Sequence, residues 1–242
     1  MKMPFGGRRP KYTVGSNQYE RRQAQNRPKR TLGMSPQASG SKLTSDILGI
    51  TQLQGKEMSL IEVATNVGSS PDVLDSLADN EDEDIRIAVA GNAATLQSTL
   101  RKLYASGDPK VIAVLAGNQN TPSDILDALV AAGDPGHIRT VAGNRNALPS
   151  TLGRIPPLES ADIDVRLAYN PNTPSNTLGK LAGSALLDVQ MGVARHEGTP
   201  PDALGQLFLN GEDRVSRAAA ANPGLPEHLQ AMIILSNDDG SS

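Results

Sequence analysis

The chain has 242 residues, of which 38% are apolar and none is cysteine, and its formal net charge is −3. No run approaches the roughly 18 consecutive apolar residues of a transmembrane helix, and the start, MKMPFGGRRP, lacks the apolar core of a secretory signal. Without cysteine, thiolate ligation of a metal or cluster is impossible. We therefore expect a cytoplasmic protein without a membrane partner.

Residues 1–42 form a basic arm. Residues 1–45 hold ten Lys or Arg against one acidic residue, a formal charge of +9, whereas the remaining residues hold 13 basic and 25 acidic side chains, a formal charge of −12. The arm is rich in Gly, Pro, Gln, Asn and Ser and has too little apolar surface to offset the entropy of ordering it. We predict that the arm is disordered when alone.

The arm has the composition of a nucleic-acid-binding segment. Basic side chains neutralise phosphates, and aromatic rings stack on unpaired bases, so single strands should be favoured with little sequence preference. The predicted nucleic-acid-binding residues are Arg8, Arg9, Lys11, Tyr12, Tyr19, Arg21, Arg22, Arg27, Lys29 and Arg30. Charge alone also permits the arm to lie on the acidic body of its own or a neighbouring chain, as a clamp or an oligomer link. A solvated basic tail is the third interpretation.

Residues 43–55 are predicted to form an N-terminal capping helix. A Thr-Ser cap at 44–45 precedes Ile47, Leu48, Ile50 and Leu53 at helical spacing. The end of a solenoid needs such a cover for its first unit.

Residues 56–236 repeat one pattern every 26 residues. Alanine stands two residues before each position that we call the anchor, and leucine or isoleucine stands eleven residues after it. The anchors are Asn66, Asn92, Asn118, Asn144, Asn170, His196 and Asn222. A fixed period of roughly 20 to 50 residues is typical of a solenoid, in which stacked units supply the core. We predict seven 26-residue units followed by a flexible tail at 237–242.

Each unit is predicted to contain two short helices. In the first helix, apolar residues seven and three before the anchor, such as Val111 and Leu115, share one face. Aspartate caps at Asp108 and Asp134, each followed by proline, mark its start. The second helix is predicted to start at a hydroxyl cap followed by proline, at Ser70, Thr121 and Thr199. Its leucine pair, eight and eleven residues after the anchor, should face inward.

The anchor asparagine has a structural interpretation and a functional one. Asparagine ends a helix well because it tolerates the left-handed conformation and bonds neighbouring backbone groups. In the functional alternative, the row of asparagine amides binds a ligand. The Gly-Asn pairs at 91–92, 117–118 and 143–144 favour the structural role, helix termination followed by a turn.

The segments LAGNQNTPSDILDALV, residues 115–130, and VRLAYNPNTPSNTLGKLA, residues 165–182, resemble the variant leucine-rich repeat family of bacteria. The resemblance covers about three quarters of the chain. It implies an all-α, right-handed superhelix of alternating α and 3₁₀ helices without β-sheet. One branch of that family carries an iron–sulfur cluster beside the repeats, but this chain has no cysteine to hold one. The family is not tied to one activity, so the resemblance concerns the fold.

The sequence holds no catalytic motif, and we predict a non-enzyme without cofactor or metal. His137, His196 and His228 occupy three different positions of the unit, and none has a second ligand at metal-binding spacing. His137 stands at an apolar position and is predicted to be a partly buried packing residue. The acidic run 79–84 lacks the glycine and final glutamate of an EF-hand loop, so a solvated turn that caps the next helix is favoured.

Two places depart from the repeating pattern. Pro156 and Pro157 stand where the last turn of a second helix is expected, and proline is incompatible with that turn. In the sixth unit, His196 replaces the anchor asparagine and Gly192 lies inside the first helix. Each departure is either a hinge or recognition site or ordinary divergence among repeats.

Three classes of function remain. The first is a non-enzymatic repeat scaffold that binds a protein partner through the solenoid and a polyanion, preferably nucleic acid, through the arm. The second is a structural component of a virion or nucleoprotein assembly, with the arm linking subunits or packaged nucleic acid. The third, an enzyme of the helical-repeat DNA glycosylase type, is disfavoured by the acidic body and the absence of tryptophan.

Overall fold

The structure, a computed structural model, describes residues 58–238, so the basic arm, the predicted capping helix at 43–55 and residues 239–242 lie outside the described residues. Between residues 58 and 238 the backbone forms fourteen α-helices and no strand, which confirms the all-α prediction. The helices are α1 (Leu60–Thr65), α2 (Pro71–Leu77), α3 (Glu83–Gly91), α4 (Gln97–Ala105), α5 (Pro109–Leu115), α6 (Ser123–Ala132), α7 (Pro135–Ala142), α8 (Pro149–Leu152), α9 (Ala161–Tyr169), α10 (Ser175–Leu181), α11 (Leu187–Arg195), α12 (Pro201–Asn210), α13 (Asp213–Ala220) and α14 (Glu227–Asp238). None of these described helices is long and apolar enough to cross a membrane.

The resemblance implied 3₁₀ helices in alternation with α-helices, and the structure differs. No 3₁₀ helix occurs among residues 58–238, and the even-numbered helices are α-helical. Their first turns already close with bonds between residues four apart: the N–H of Leu126 donates to the carbonyl of Pro122, and that of Leu178 to Pro174. The second helix of each pair is therefore a short α-helix.

The starts of the first helices follow the predicted cap chemistry. The Asp108 carboxylate accepts from the N–H groups of Lys110 and Val111, and the Asp134 carboxylate accepts from His137. Within the acidic run, Asp82 caps α3 by accepting from Asp84. These carboxylates satisfy backbone donors that have no partner inside the helix.

Two of the three predicted hydroxyl caps of the second helices are wrong. Ser70 caps α2, since its hydroxyl accepts from the N–H of Val73. By contrast, α6 and α12 begin one residue later than predicted, with Pro122 and Pro200 at their N-caps and no side-chain cap. The hydroxyls of Thr121 and Thr199 instead donate to carbonyls at the end of the preceding helix, those of Leu115 and Val193, over 2.7 and 2.6 Å.

The predicted apolar positions form the core. The leucine pairs of the second helices are fully buried, as Leu100 with Leu103 and Leu178 with Leu181 show. Successive odd-numbered helices pack against one another from α1 to α5 and from α7 to α13. The second helices α2, α4, α6, α10 and α12 pack against the first helix of the following pair. The buried apolar residues form two clusters, from Val63 to Leu115 and from Ala116 to Leu229, and Tyr104 packs against both.

The anchor side chains link each helix pair to the preceding pair through hydrogen bonds. The amide nitrogen of Asn118 donates to the carbonyls of Ala90 and Asn92, over 2.7 and 3.1 Å. Asn92, Asn144, Asn170 and Asn222 each make the same two bonds, to the residues 28 and 26 positions earlier. We call this series of bonds the anchor ladder. The structural role predicted for the asparagines is confirmed, but their main contacts are with the neighbouring helix pair.

The anchors that end helices have an extended backbone, and no described anchor is left-handed as the prediction assumed. Asn66, Asn92 and Asn170 do end helices, and the φ and ψ of Asn92 are −73° and 126°. The side-chain oxygen of each asparagine accepts from the N–H two residues on, for example that of Asn120 bonding to Asn118 over 2.8 Å. This local turn holds the amide nitrogen toward the preceding pair.

Ion pairs add further links between neighbouring pairs. The Arg86 guanidinium lies 2.7 Å from the carboxylate of Asp108 and is the main reason that the pKa of Asp108 lies below its ordinary value. The hydrogen bond from Arg101 lowers the pKa of Asp124 in the same way. These contacts lie on exposed or partly exposed surface, where single pairs contribute little to stability.

The Pro156–Pro157 segment shortens its helix as predicted. Helix α8 ends at Leu152 after four residues. The following loop contains Leu158 at a φ of 69°, and the N–H of Leu158 donates to the buried Asp164 carboxylate over 2.8 Å. This bond from the loop to α9 holds a residue in a conformation that leucine rarely adopts.

The anchor ladder makes Asn118→Asp destabilising. The carboxylate keeps the acceptor for the local turn but replaces a donor that faces two carbonyl oxygens, so we expect a loss of about 2–4 kcal/mol. Urea unfolding at neutral pH measures it.

Asn176→Asp is the matched control, because Asn176 is exposed and its side chain only accepts from the N–H of Thr177. This variant should leave the free energy of unfolding within about 0.5 kcal/mol of the parent. Equal effects of the two substitutions would contradict the role assigned to the ladder.

Candidate functional site

The ten residues predicted to bind nucleic acid all belong to the arm and lie outside the described residues. Their role stays a prediction. The part of the chain that the structure describes has twelve Lys or Arg and twenty-two Asp or Glu, a formal charge of −10, so it is strongly acidic by itself.

A second candidate lies between α9 and α11, where the packing of small and large residues is reversed. At the earlier contacts between successive helix pairs, the glycine immediately before an anchor faces a larger side chain. That side chain stands four residues before the following anchor. A Cβ on Gly117, for example, would lie 3.5 Å from Thr140 Cγ2. Between α9 and α11 the large residue comes first: Tyr169 precedes its anchor, and Gly192 stands opposite it.

Ala168 and the Tyr169 ring together leave no room for a Cβ at position 192. A Cβ on Gly192 would lie 2.8 Å from Ala168 Cβ and 3.0 Å from Tyr169 Cε2, closer than packed atoms approach. Gly192 is buried, whereas half of the Tyr169 surface remains exposed. The glycine therefore accommodates an aromatic ring that lies on the surface between the two helices, and the two residues are complementary.

His196 continues the anchor ladder with one bond in place of two. Its Nδ1 accepts from the N–H of Gly198 over 2.9 Å, so the hydrogen of the neutral ring is on Nε2, which donates to the carbonyl of Asn170 over 2.9 Å. An asparagine here would also reach the carbonyl of Ala168, as the other anchors do at that spacing. The histidine thus preserves the turn and weakens the link.

A second row of amides, two residues after the anchors, is interrupted at the same place. Asn172 donates to the carbonyls of Arg145 and Ala147, over 2.7 and 3.1 Å. Asn120 donates likewise to the two carbonyls 27 and 25 residues before it. The next position in the row is Gly198, which has no side chain, so the carbonyls of Pro171 and Thr173 cannot receive these bonds.

These changes surround one cavity of about 650 Å³. Its lining is mainly apolar, and includes Tyr169, Pro149, Pro171 and Pro174. Gly192, His196 and Gly198 line it as well. A mainly apolar cavity of this size with a few polar groups is typical of a ligand site.

The charged residues of the cavity are few. Arg195 and Glu197 flank His196 in sequence, line the cavity and are exposed. Arg195 contributes one positive charge and Glu197 one negative charge. The cavity therefore offers an aromatic surface, backbone carbonyls and one charged side chain of each sign.

Two of the cavity residues, Gly192 and His196, were recognised from the sequence as departures from the pattern, and the structure places both on the lining of the same cavity. Tyr169 and Gly198 were missed. The available signal was a comparison of equivalent positions in successive units. The three units before Tyr169 have glycine at its position, and the three units before Gly198 have asparagine at its position.

His137 lies outside this cavity. His137 is partly buried beside the cap carboxylate of Asp134, with Nδ1 3.7 Å from Asp134 Oδ1, as expected of a packing residue. Among residues 58–238, no group of three or more His, Asp or Glu side chains lies close enough to hold a metal ion.

No protein-family model, no curated protein and no solved structure matches this chain.

The complementarity of Tyr169 and Gly192 makes Gly192→Ala destabilising by about 1–3 kcal/mol through overpacking, although alanine is the better helix former. In the Tyr169→Gly background the same substitution should cost less, since the ring contact is gone. A double-mutant cycle from urea unfolding measures the coupling.

Gly179→Ala is the control, because a Cβ there meets only Pro200 Cγ at an ordinary 3.7 Å. It should raise the free energy of unfolding by up to about 1 kcal/mol through helix propensity. Additive effects of Gly192→Ala and Tyr169→Gly would disprove the complementarity.

Proposed function

We propose that the protein is a non-enzymatic helical-repeat scaffold, in which the helical body binds a protein partner and the basic arm binds single-stranded nucleic acid. In this proposal the seven helix pairs form a solenoid of 26-residue units. The support is the anchor ladder, whose bonds recur at separations of 26 and 28 residues from Asn92 to Asn222. A link of constant spacing between successive pairs is what a stacked array requires.

The single observation that favours a binding function is the cavity beside His196. An array that served only as a spacer would have no need of coordinated changes at one junction. Here the changes at residues 169, 192, 196 and 198 all open onto one surface. Arrays of helix pairs bind partners through such extended surfaces.

The arm accounts for the nucleic-acid half of the proposal. The charge contrast between residues 1–45 at +9 and the described residues at −10 separates a phosphate-binding segment from a body that repels phosphates. The arm's aromatic residues provide stacking surfaces for unpaired bases.

The arm is tested by replacing Arg8, Arg9, Arg21 and Arg22 with glutamine in the full chain. Affinity for fluorescent single-stranded RNA or DNA should fall, and the slope of log K against log salt should become shallower by about 3, since each lost phosphate contact removes about 0.7. Anisotropy titrations at several salt concentrations measure both quantities.

The control replaces Arg145, Lys180, Arg214 and Arg217 of the body with glutamine, which removes the same charge. Its affinity and salt slope should match those of the parent chain. If the body variant loses binding and the arm variant does not, the assignment of nucleic acid to the arm is wrong.

The protein-binding half is tested by capture from native lysate after nuclease treatment, followed by cross-linking and mass spectrometry. We expect a partner present in stoichiometric amount whose cross-links fall on residues 58–238 and persist in the arm variant. If the partner is no longer captured by the arm variant or after nuclease treatment, the partner binds the nucleic acid and not the helical body.

A further inference from the structure

We propose that the cavity beside His196 binds the guanidinium group of an arginine side chain presented by an extended segment of the protein partner. This inference deepens the proposed function and rests on its protein-binding half. The guanidinium group would occupy the space that the asparagine amide fills in the preceding pair and that Gly198 leaves empty.

The first support is a pair of carbonyls that lack the amide donor present in the preceding helix pair. In the preceding pair, the Asn172 amide nitrogen spans two carbonyls two residues apart. At the next position of the row, Gly198 has no amide to donate to the equivalent carbonyls, of Pro171 and Thr173, and all three residues line the cavity. Carbonyl oxygens need N–H donors, so the ligand must provide at least two in one plane.

The second support is the aromatic surface. Tyr169 lies on the cavity wall with half of its surface exposed, and Gly192 permits that position. A planar guanidinium stacks on such a ring while its edge donates hydrogen bonds, which a tetrahedral ammonium cannot do. The prolines that line the cavity provide apolar contact for the methylene stem.

The third support is charge. The described residues carry a formal charge of −10, and Glu197 lies at the cavity. Arg195 is the single lining cation, and it opposes a positive ligand. An anionic ligand would meet Arg195 but also two carbonyl oxygens and a carboxylate, so the donors of a cation suit the lining better.

The test uses the full ¹⁵N-labelled chain and N-acetyl-arginine amide as the probe. Amide NMR signals of residues around Gly198, Thr173 and Tyr169 should shift saturably, with a dissociation constant on the order of 1 mM for a ligand this small. N-acetyl-citrulline amide, which has the same shape without the charge, and N-acetyl-lysine amide should each bind at least about tenfold more weakly.

Gly198→Asn should abolish binding, because the amide nitrogen of the asparagine would donate hydrogen bonds to both carbonyls. A Cβ at this position would lie 3.2 Å from His196 Cε1, so a small shift of the ring accommodates it. Gly224→Asn is the matched control: its Cβ is equally crowded, at 3.2 Å from Leu204 Cδ1, and Gly224 does not line the cavity. This control should bind the probe as the parent chain does.

Two charge variants keep the proposal falsifiable if Gly198→Asn fails to fold. Glu197→Gln should weaken binding of the arginine probe, and Arg195→Gln should strengthen it, each by up to about fivefold. Uridine monophosphate is the competing probe, since a base also stacks on tyrosine and its phosphate would pair with Arg195. Tighter binding of the nucleotide, or arginine binding that survives in a folded Gly198→Asn chain, would overturn the proposal.

The probe reports on the cavity alone, so its failure is distinguishable from failure of the scaffold function. A captured partner that binds the Gly198→Asn chain as tightly as the parent would refute the arginine site and retain the scaffold. Probe binding without any captured partner would retain the site and refute the scaffold.

Discussion

The hydrogen bond from an anchor amide to the end of the first helix of the preceding pair is the constraint on which this architecture depends. The helices are four to twelve residues long, and the last four carbonyls of any helix lack partners within it. Short helices of this kind are marginal by themselves and gain stability by packing. Packing buries their ends, so the carbonyls must find donors. The asparagine amide provides two donors to the neighbouring pair, and the buried threonine hydroxyls supply another within the pair.

The core was predictable from the sequence because burial follows the helical and 26-residue periods directly. The leucine pairs and the apolar positions before each anchor are buried where the spacing placed them. Cap chemistry was predictable at Asp108 and Asp134, whose partners are two or three residues away. It failed at Thr121, because the same hydroxyl can serve either the helix that follows or the carbonyl six residues before, and only the path of the chain decides.

The function of the anchors shows a different limit. Their role in ending helices depends on local geometry and was predicted, but their amide bonds join residues 26 and 28 positions apart, which a local pattern does not reveal. For the same reason, two of the four altered residues of the cavity were not recognised from the sequence. Gly192 and His196 break a pattern within their own unit, whereas Tyr169 and Gly198 are ordinary residues until the facing pair is known. A tyrosine and a glycine become a complementary pair only across the α9–α11 contact.

The cavity follows from the same need to satisfy the backbone that produces the ladder. Where Asn120 and Asn172 supply amides, the carbonyls of the preceding turn already accept hydrogen bonds from within the protein. Gly198 gives up that internal bond, and His196 gives up one of the two anchor bonds while keeping the turn. In the proposed function, this junction exchanges some stability for binding capacity, as functional sites commonly do. Because one anchor bond remains, the loss is confined to one junction and the helix pairs on either side stay linked.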